Sequence, residues 1–164
     1  RLRSDVAIGT SLSGGLDSSS LVAIASSFTN SPLTAFTASF PQFEKDESTY
    51  AKQVAEQFKL HHFSTSITGD DLVNDWEKLC YHQEAPFGSA SIYAQYKVYE
   101  LTKQQGIKVL LDGQGADETL AGYHKYYKWY WQELFRNRKL SRSKEIKAAK
   151  ELGITEKFDF KNII

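Results

Sequence analysis

The sequence predicts an α/β fold, an open parallel sheet flanked by helices. Three observations carry that expectation. Short apolar and β-branched runs alternate with stretches whose apolar residues recur at helical spacing. The connections between these runs are long enough to hold a helix, as parallel strands require. Two of the runs end in glycine-punctuated loops, Ser13-Gly14-Gly15 and Asp112-Gly113-Gln114-Gly115, and each loop opens a helix.

The elements follow in order. Val6 to Leu12 (VAIGTSL) reads as a buried strand closed by glycines. Leu21, Val22, Ile24, Ala25 and Phe28 mark a helix from Ser18 to Phe28, and Asn30-Ser31-Pro32 turns the chain. Leu33 to Phe40 is a second strand, stopped by Pro41. Glu47 to Phe58 sets Tyr50, Val54, Ala55 and Phe58 on one helix face. Leu60 to Thr65 is a third strand, with His61-His62 expected near the carboxyl edge of the sheet. From Gly69 a single helix is expected, with Leu72, Val73, Trp76, Leu79 and Cys80 turned inwards. Ala85-Pro86-Phe87-Gly88 is a loop, Ser91 to Gln104 a helix, and Ile107 to Leu111 the most strand-like segment of all. A further helix is expected to run to about Phe135, its stripe at 123, 126/127, 130/131 and 134 packed inwards.

Composition bounds the function. The 164 residues suit one domain of ordinary size, and 41% apolar residues can build its core. Twenty basic and twenty acidic side chains cancel, which argues against a nucleic-acid partner. No apolar run approaches the ~18 residues of a membrane span. One cysteine excludes an internal disulfide and fits a reducing, cytoplasmic setting. The chain holds no methionine and opens at Arg1, so it is expected to be a piece of a longer protein. The expected division is a domain over residues 1–135 and an incomplete helical extension over 136–164.

In open parallel sheets, ligands lie beyond the carboxyl ends of the strands. The loops at 13–18 and 112–118 are therefore expected to converge. In the first, Gly14 and Gly15 admit a ligand close to the backbone, the next helix offers free N–H groups, and Ser13, Ser18 and Ser19 add hydroxyls. That describes an anion nest. Yet no lysine of the Walker type is present, and Asp17 would repel a phosphate directly. A divalent cation resolves the conflict, most naturally Mg²⁺ on ATP. The competing reading, in which Asp17 and Ser18 only cap the helix, leaves the strand–loop–helix context unused. The second loop repeats the pattern, and Asp117 could give the same Mg²⁺ a second carboxylate; a plain acidic cap would explain that residue without the glycines.

Arg3-Ser4-Asp5-Val6 running into Ser13-Gly14-Gly15-Leu16-Asp17-Ser18-Ser19 resembles the pyrophosphate loop of the N-type ATP pyrophosphatases. Leu111 to Glu118, continuing through Leu120-Ala121-Gly122-Tyr123, resembles the second motif of glutamine-hydrolysing asparagine synthases. The segment from His82 to Ser91 is similar to that family's loop beside the acceptor site. The resemblance covers about Arg1 to Tyr127. It implies a Rossmann-like fold of the adenine nucleotide alpha hydrolase type (HUP or PP-loop). Two departures stand out: Asp112 and Gln114 replace the family's usual serine and glutamate. That glutamate is associated with holding or deprotonating the incoming nitrogen, and an amide is no base near pH 7.

The resemblance implies a C–N ligase. A carboxylate, most naturally that of aspartate, attacks the α-phosphate of ATP to give an acyl-adenylate and pyrophosphate. Ammonia from glutamine then displaces AMP. Leu12, Ser13, Gly14, Gly15, Asp17, Ser18, Ala38, Asp112 and Gly113 would hold the nucleotide, and Asp17 and Asp117 the Mg²⁺. Gln114 would meet the nitrogen, and Glu84 and Glu118 the acceptor side. A separate N-terminal glutaminase domain is the implied partner, with homodimerisation left open. A later family lysine falls outside this sequence, so the piece alone is expected to bind nucleotide incompletely. The alternatives are a family member amidating a sugar-linked or other amino-acid carboxylate, and a nucleotide-binding relative without turnover.

Other features point elsewhere. His61-His62 and Cys80-Tyr81-His82 lack the four N/S ligands of structural zinc. The aromatic run from Tyr123 to Phe135 has the helical spacing of a packing face and not the pattern of base stacking. Cys80, placed mid-chain among Trp76 and Leu79, is expected to be a buried structural thiol.

Overall fold

The computed structural model describes residues 2–120, 122–140 and 144–155. Ala121 of the second motif and the end of the 136–164 extension lie outside them. The chain divides after Gly113 into two compact units.

The first unit holds four strands, β1 (Ile8–Ser11), β2 (Thr34–Ser39), β3 (His61–Ser66) and β4 (Val109–Leu111). Every pairing is parallel, in the order β3-β2-β1-β4. Between them run α1 (Leu16–Ser27), α2 (Ser48–Gln57), α3 (Gly69–Asn74), α4 (Trp76–Gln83) and α5 (Ser91–Gln104). This is the expected α/β fold. Alternate strand residues serve opposite faces. Ala35 packs with Leu12, with Val22 of α1 and with Ala51 and Ala55 of α2. Ala38, an odd number of residues along, packs among Ile92, Tyr93 and Ala94 of α5. Phe36 is wholly buried and stacks on its register partner Phe63 at 5.9 Å.

Local details depart from the expectation. The strands β1 and β4 are shorter than Val6–Leu12 and Ile107–Leu111. His61 and His62 open β3 opposite Thr34 and Ala35, so they stand at the amino edge of the sheet and not at its carboxyl edge. The helix expected from Gly69 is two. A capping box starts α3: the Thr68 hydroxyl accepts from the Asp71 amide, and the Asp71 carboxylate accepts from the Thr68 amide. The chain then bends at Asp75, whose carboxylate accepts from Tyr93 Oη at 2.7 Å and from Lys97 Nζ at 3.2 Å. After that bend Leu79 is buried and Leu72 packs against its cluster, while Val73, Trp76 and Cys80 face solvent. The thiol is therefore exposed, contrary to the sequence-based expectation.

The second unit holds α6 (Ala116–Leu120), α7 (His124–Arg136) and α8 (Glu145–Glu151). The helix expected to run to Phe135 is interrupted before His124. The face of α7 carrying Tyr127, Trp131 and Leu134 packs on Ala149 and Ile146 of α8, while Tyr123 and Tyr130 stay open. The expected stripe is thus buried in its second half only.

Candidate functional site at the carboxyl ends of the central strands

The first loop is shaped by one glycine. Gly14 adopts φ +90°, and a Cβ there would stand 2.6 Å from the Ala51 nitrogen and 2.8 Å from Tyr50 Cβ. Only glycine allows the loop to settle against the start of α2. Gly15 has extended backbone and precedes α1, and no side chain caps that 12-residue helix. The serines brace the loop. Ser13 Oγ accepts from the Gly15 amide at 3.2 Å, Ser18 Oγ donates to the Gly15 carbonyl at 3.2 Å, and the two hydroxyls meet at 3.1 Å.

The capping interpretation of Asp17 and Ser18 is thus not what the loop does. The first-turn amides of α1 keep their positive end without a side-chain partner. Asp17 sits in that turn with no ion-pair partner among the described residues. Ser19 Oγ, two residues on, is buried without a hydrogen bond. Asp17 thus shares the first turn with amides that no side chain caps, a pairing that a cation-bearing phosphate fits.

The second loop arrives because β4 pairs with β1. Thr10 Oγ1 donates to the Leu111 carbonyl at 2.7 Å, and the Ser11 amide donates to Asp112 Oδ1 at 3.2 Å. Gly113 then lies on the start of α1, where a Cβ would be 3.1 Å from the Ser18 nitrogen and 3.2 Å from the Asp17 carbonyl carbon. Convergence of the two loops is real at Asp112 and Gly113. Burial, with the Asp112 charge nearby, raises the Tyr99 phenol above its usual range.

A mostly apolar pocket of about 370 Å³ opens beside the first loop. Ser13, Ala38 and Phe40 line it from the strand ends, Phe43 and Asp46 from the loop before α2, and Ala94 from α5. Asp46 shapes that wall. Its carboxylate accepts from the Phe40 and Ser48 amides at 3.1 and 3.3 Å and from Ser48 Oγ at 2.5 Å. The Ser48 hydroxyl, helped by the two amides, holds the carboxyl below its usual range. Sequence reasoning missed Asp46 and Phe40. An Asp-x-Ser just before a helix was the available signal.

The remaining candidates are placed as follows. Leu12 is 1% exposed, its amide donates to Phe36 O at 2.8 Å and its carbonyl accepts from Thr37. Glu84 ends α4 in left-handed backbone, φ 56°, and is exposed outside the pocket lining. Gln114, Asp117 and Glu118 belong to the second unit. There, Gln114 is exposed and Glu118 accepts from Tyr123 Oη at 3.3 Å. Gly122 lies directly over Asp117: its amide donates to the Asp117 carbonyl at 2.9 Å, and a Cβ would collide with the Asp117 carboxylate. Among the described residues, no cluster of His, Cys, Asp and Glu is gathered for a metal ion. Magnesium on a phosphate usually takes only one or two carboxylates from the protein.

The family described as asparagine synthase matches residues 1–158. Over 137 residues the chain is 36% identical to a putative glutamine-hydrolysing asparagine synthetase 2 of Methanocaldococcus jannaschii, covering 83% of this chain and 26% of that protein. It is 34% identical over 125 residues to glutamine-hydrolysing asparagine synthetase 1 of Bacillus subtilis, covering 76% and 20%. A putative glutamine-hydrolysing asparagine synthetase of Mycobacterium tuberculosis is 30% identical over 125 residues, covering 76% and 19%. The chain spans between about a fifth and about a quarter of the length of these relatives.

Proposed function

The chain belongs to the asparagine synthase family, and from that premise we propose that it is the ATP-binding part of an ATP-dependent ligase that amidates a carboxylate. The single observation that carries the reading is the uncapped start of α1, with Asp17 in its first turn and Gly113 of the second loop laid against it. A helix start left open by its own side chains suits an anion, and the flanking glycines let it approach.

In this reading the Gly14 and Asp17 amides bind pyrophosphate oxygens, and the Gly15 amide and the Ser13 and Ser18 hydroxyls exchange their bonds within the loop for bonds to the ligand. The apolar pocket beside Ala38 and Phe40 suits a flat base, and Asp112 and Gly113 close the side toward the ribose and phosphates. Asp17 and Asp117 would hold Mg²⁺, which when bound offsets the charge of the phosphate oxygens. The acceptor carboxylate, most naturally aspartate, displaces pyrophosphate to form an acyl-adenylate, and ammonia displaces AMP. No protein nucleophile is needed, since positioning and charge stabilisation carry such a step. Gln114 orients the nitrogen without taking its proton, and Glu84 and Glu118 face the acceptor side. Residues 1–135 act as the synthetase module and 136–164 begin an extension. A glutaminase domain elsewhere in a longer cytoplasmic protein supplies the ammonia. No described helix is long and apolar enough to cross a membrane. The amide at Gln114 favours one second reading, the same chemistry on a carboxylate other than aspartate.

Titration calorimetry with MgATP tests the core of this proposal. Wild-type chain should bind, and Asp17→Asn should lose at least about tenfold in affinity while keeping its unfolding midpoint. Equal affinity in the two proteins would remove Asp17 from the site.

A further inference from the structure

A chain of hydrogen bonds crosses three strands and ends one residue before the anion loop. Thr37 Oγ1 lies 2.6 Å from the Leu12 carbonyl and 2.8 Å from His62 Nε2. A hydroxyl carries one proton and a carbonyl only accepts. Thr37 therefore donates to Leu12 and accepts from His62, which places the imidazole proton on Nε2. Burial holds this imidazole below its usual range, so the neutral ring is favoured.

The receiving end is as tightly held. Leu12 donates its amide to Phe36 O and buries its side chain with Val22, Ala35 and Ala51. Thr37 is 2% exposed, so no water competes for the Leu12 carbonyl. The direction of that carbonyl sets the plane of the Leu12–Ser13 peptide, and in a trans peptide the Ser13 N–H points the opposite way. Whatever fixes Leu12 O therefore aims the first N–H of the loop.

We propose that Thr37 and His62 are positioning residues for the anion loop, fixing the Leu12–Ser13 peptide so that the Ser13–Asp17 amides face the ligand. This rests on the nucleotide reading given above for its functional consequence, though not for its structural one. Neither side chain touches the ligand. His62 acts on β3 and the loop follows β1, so the coupling runs across the sheet through β2 alone.

The test uses the whole chain with four variants and three measurements: amide hydrogen exchange of the Ser13–Ser18 segment, MgATP affinity, and urea stability. Thr37→Val removes the hydroxyl at nearly constant volume. Exchange in the loop should quicken about tenfold more than in β2, and MgATP affinity should fall about tenfold. Thr37→Ser should restore both. His62→Leu should move both in the same direction by less, and His62→Gln, whose side-chain amide can donate from the same place, should restore them. If Thr37→Val fails to fold, the His62 pair and Thr37→Ser still decide. Loop exchange and affinity that change no more than overall stability does would overturn the proposal. A wild-type chain that does not bind MgATP would overturn the nucleotide reading, and the exchange data would then judge the positioning role by themselves.

Discussion

Gly113 lies against Ser18 so closely that a Cβ on the glycine would stand 3.1 Å from the serine amide nitrogen. That contact joins the loop after β4 to the first turn of α1, between residues 95 positions apart in the chain. It is the point at which the two glycine-rich loops meet.

Gly113→Ala tests the join. The added methyl meets backbone atoms, which cannot swing aside, so α1 and β4 must separate by a few tenths of an ångström. A destabilisation of about 1–2 kcal/mol is expected, by analogy with overpacked cores, together with weaker MgATP binding. Urea unfolding and calorimetry on the same variant read the two effects.

The two glycines of the first loop should behave differently. Alanine at Gly14 must adopt φ +90° and would press on Ala51 N and Tyr50 Cβ, so a loss of at least about 2 kcal/mol is expected. Alanine at Gly15 would meet only the Ser13 hydroxyl at 3.3 Å and the end of Glu47 at 3.9 Å. Its cost should stay below about 1 kcal/mol. Equal losses at the two positions would contradict the packing of Gly14 on α2.

Asp112 holds the Ser11 amide at 3.2 Å. Asp112→Asn keeps an acceptor there and should be nearly neutral, whereas Asp112→Ala should cost about 1 kcal/mol. Chemical denaturation of both variants would show it. Similar costs would mean that the charge, and not the hydrogen bond, matters at the end of β1.

Acid should loosen the clasp between α4 and α5. Tyr93, then Lys97, keeps the Asp75 carboxyl below its usual range, and Lys78 with Lys97 does the same for Glu100. Carboxyls lowered in the folded state stabilise it above their unfolded value and lose that contribution as pH falls through the folded one. The urea midpoint should therefore drop below about pH 4, and Asp75→Asn should flatten that drop. An unchanged pH profile in the variant would place the acid sensitivity elsewhere.

The exposed Cys80 should react with a thiol reagent in the folded chain, and Cys80→Ala should change stability by less than about 0.5 kcal/mol. Slow labelling that requires unfolding would return the thiol to the interior.

By itself, the sequence determined the alternation of strands and helices, the parallel sheet and both loops. Those follow from local properties: apolar spacing at Val22, Ala25, Val54 and Ala55, and glycines where backbone must lie close. Tertiary structure decided what locality cannot express. Packing with α2 forces the left-handed turn at Gly14, and pairing of β4 with β1 brings Gly113 to Ser18. The carboxylate of Asp75, drawn to Tyr93 and Lys97 on α5, bends one expected helix into two and turns Cys80 outwards. The register of β3 puts His62 where its ring reaches Thr37 on the neighbouring strand. Each outcome depends on a partner far along the chain, and periodicity within a window carries no record of which partner that is.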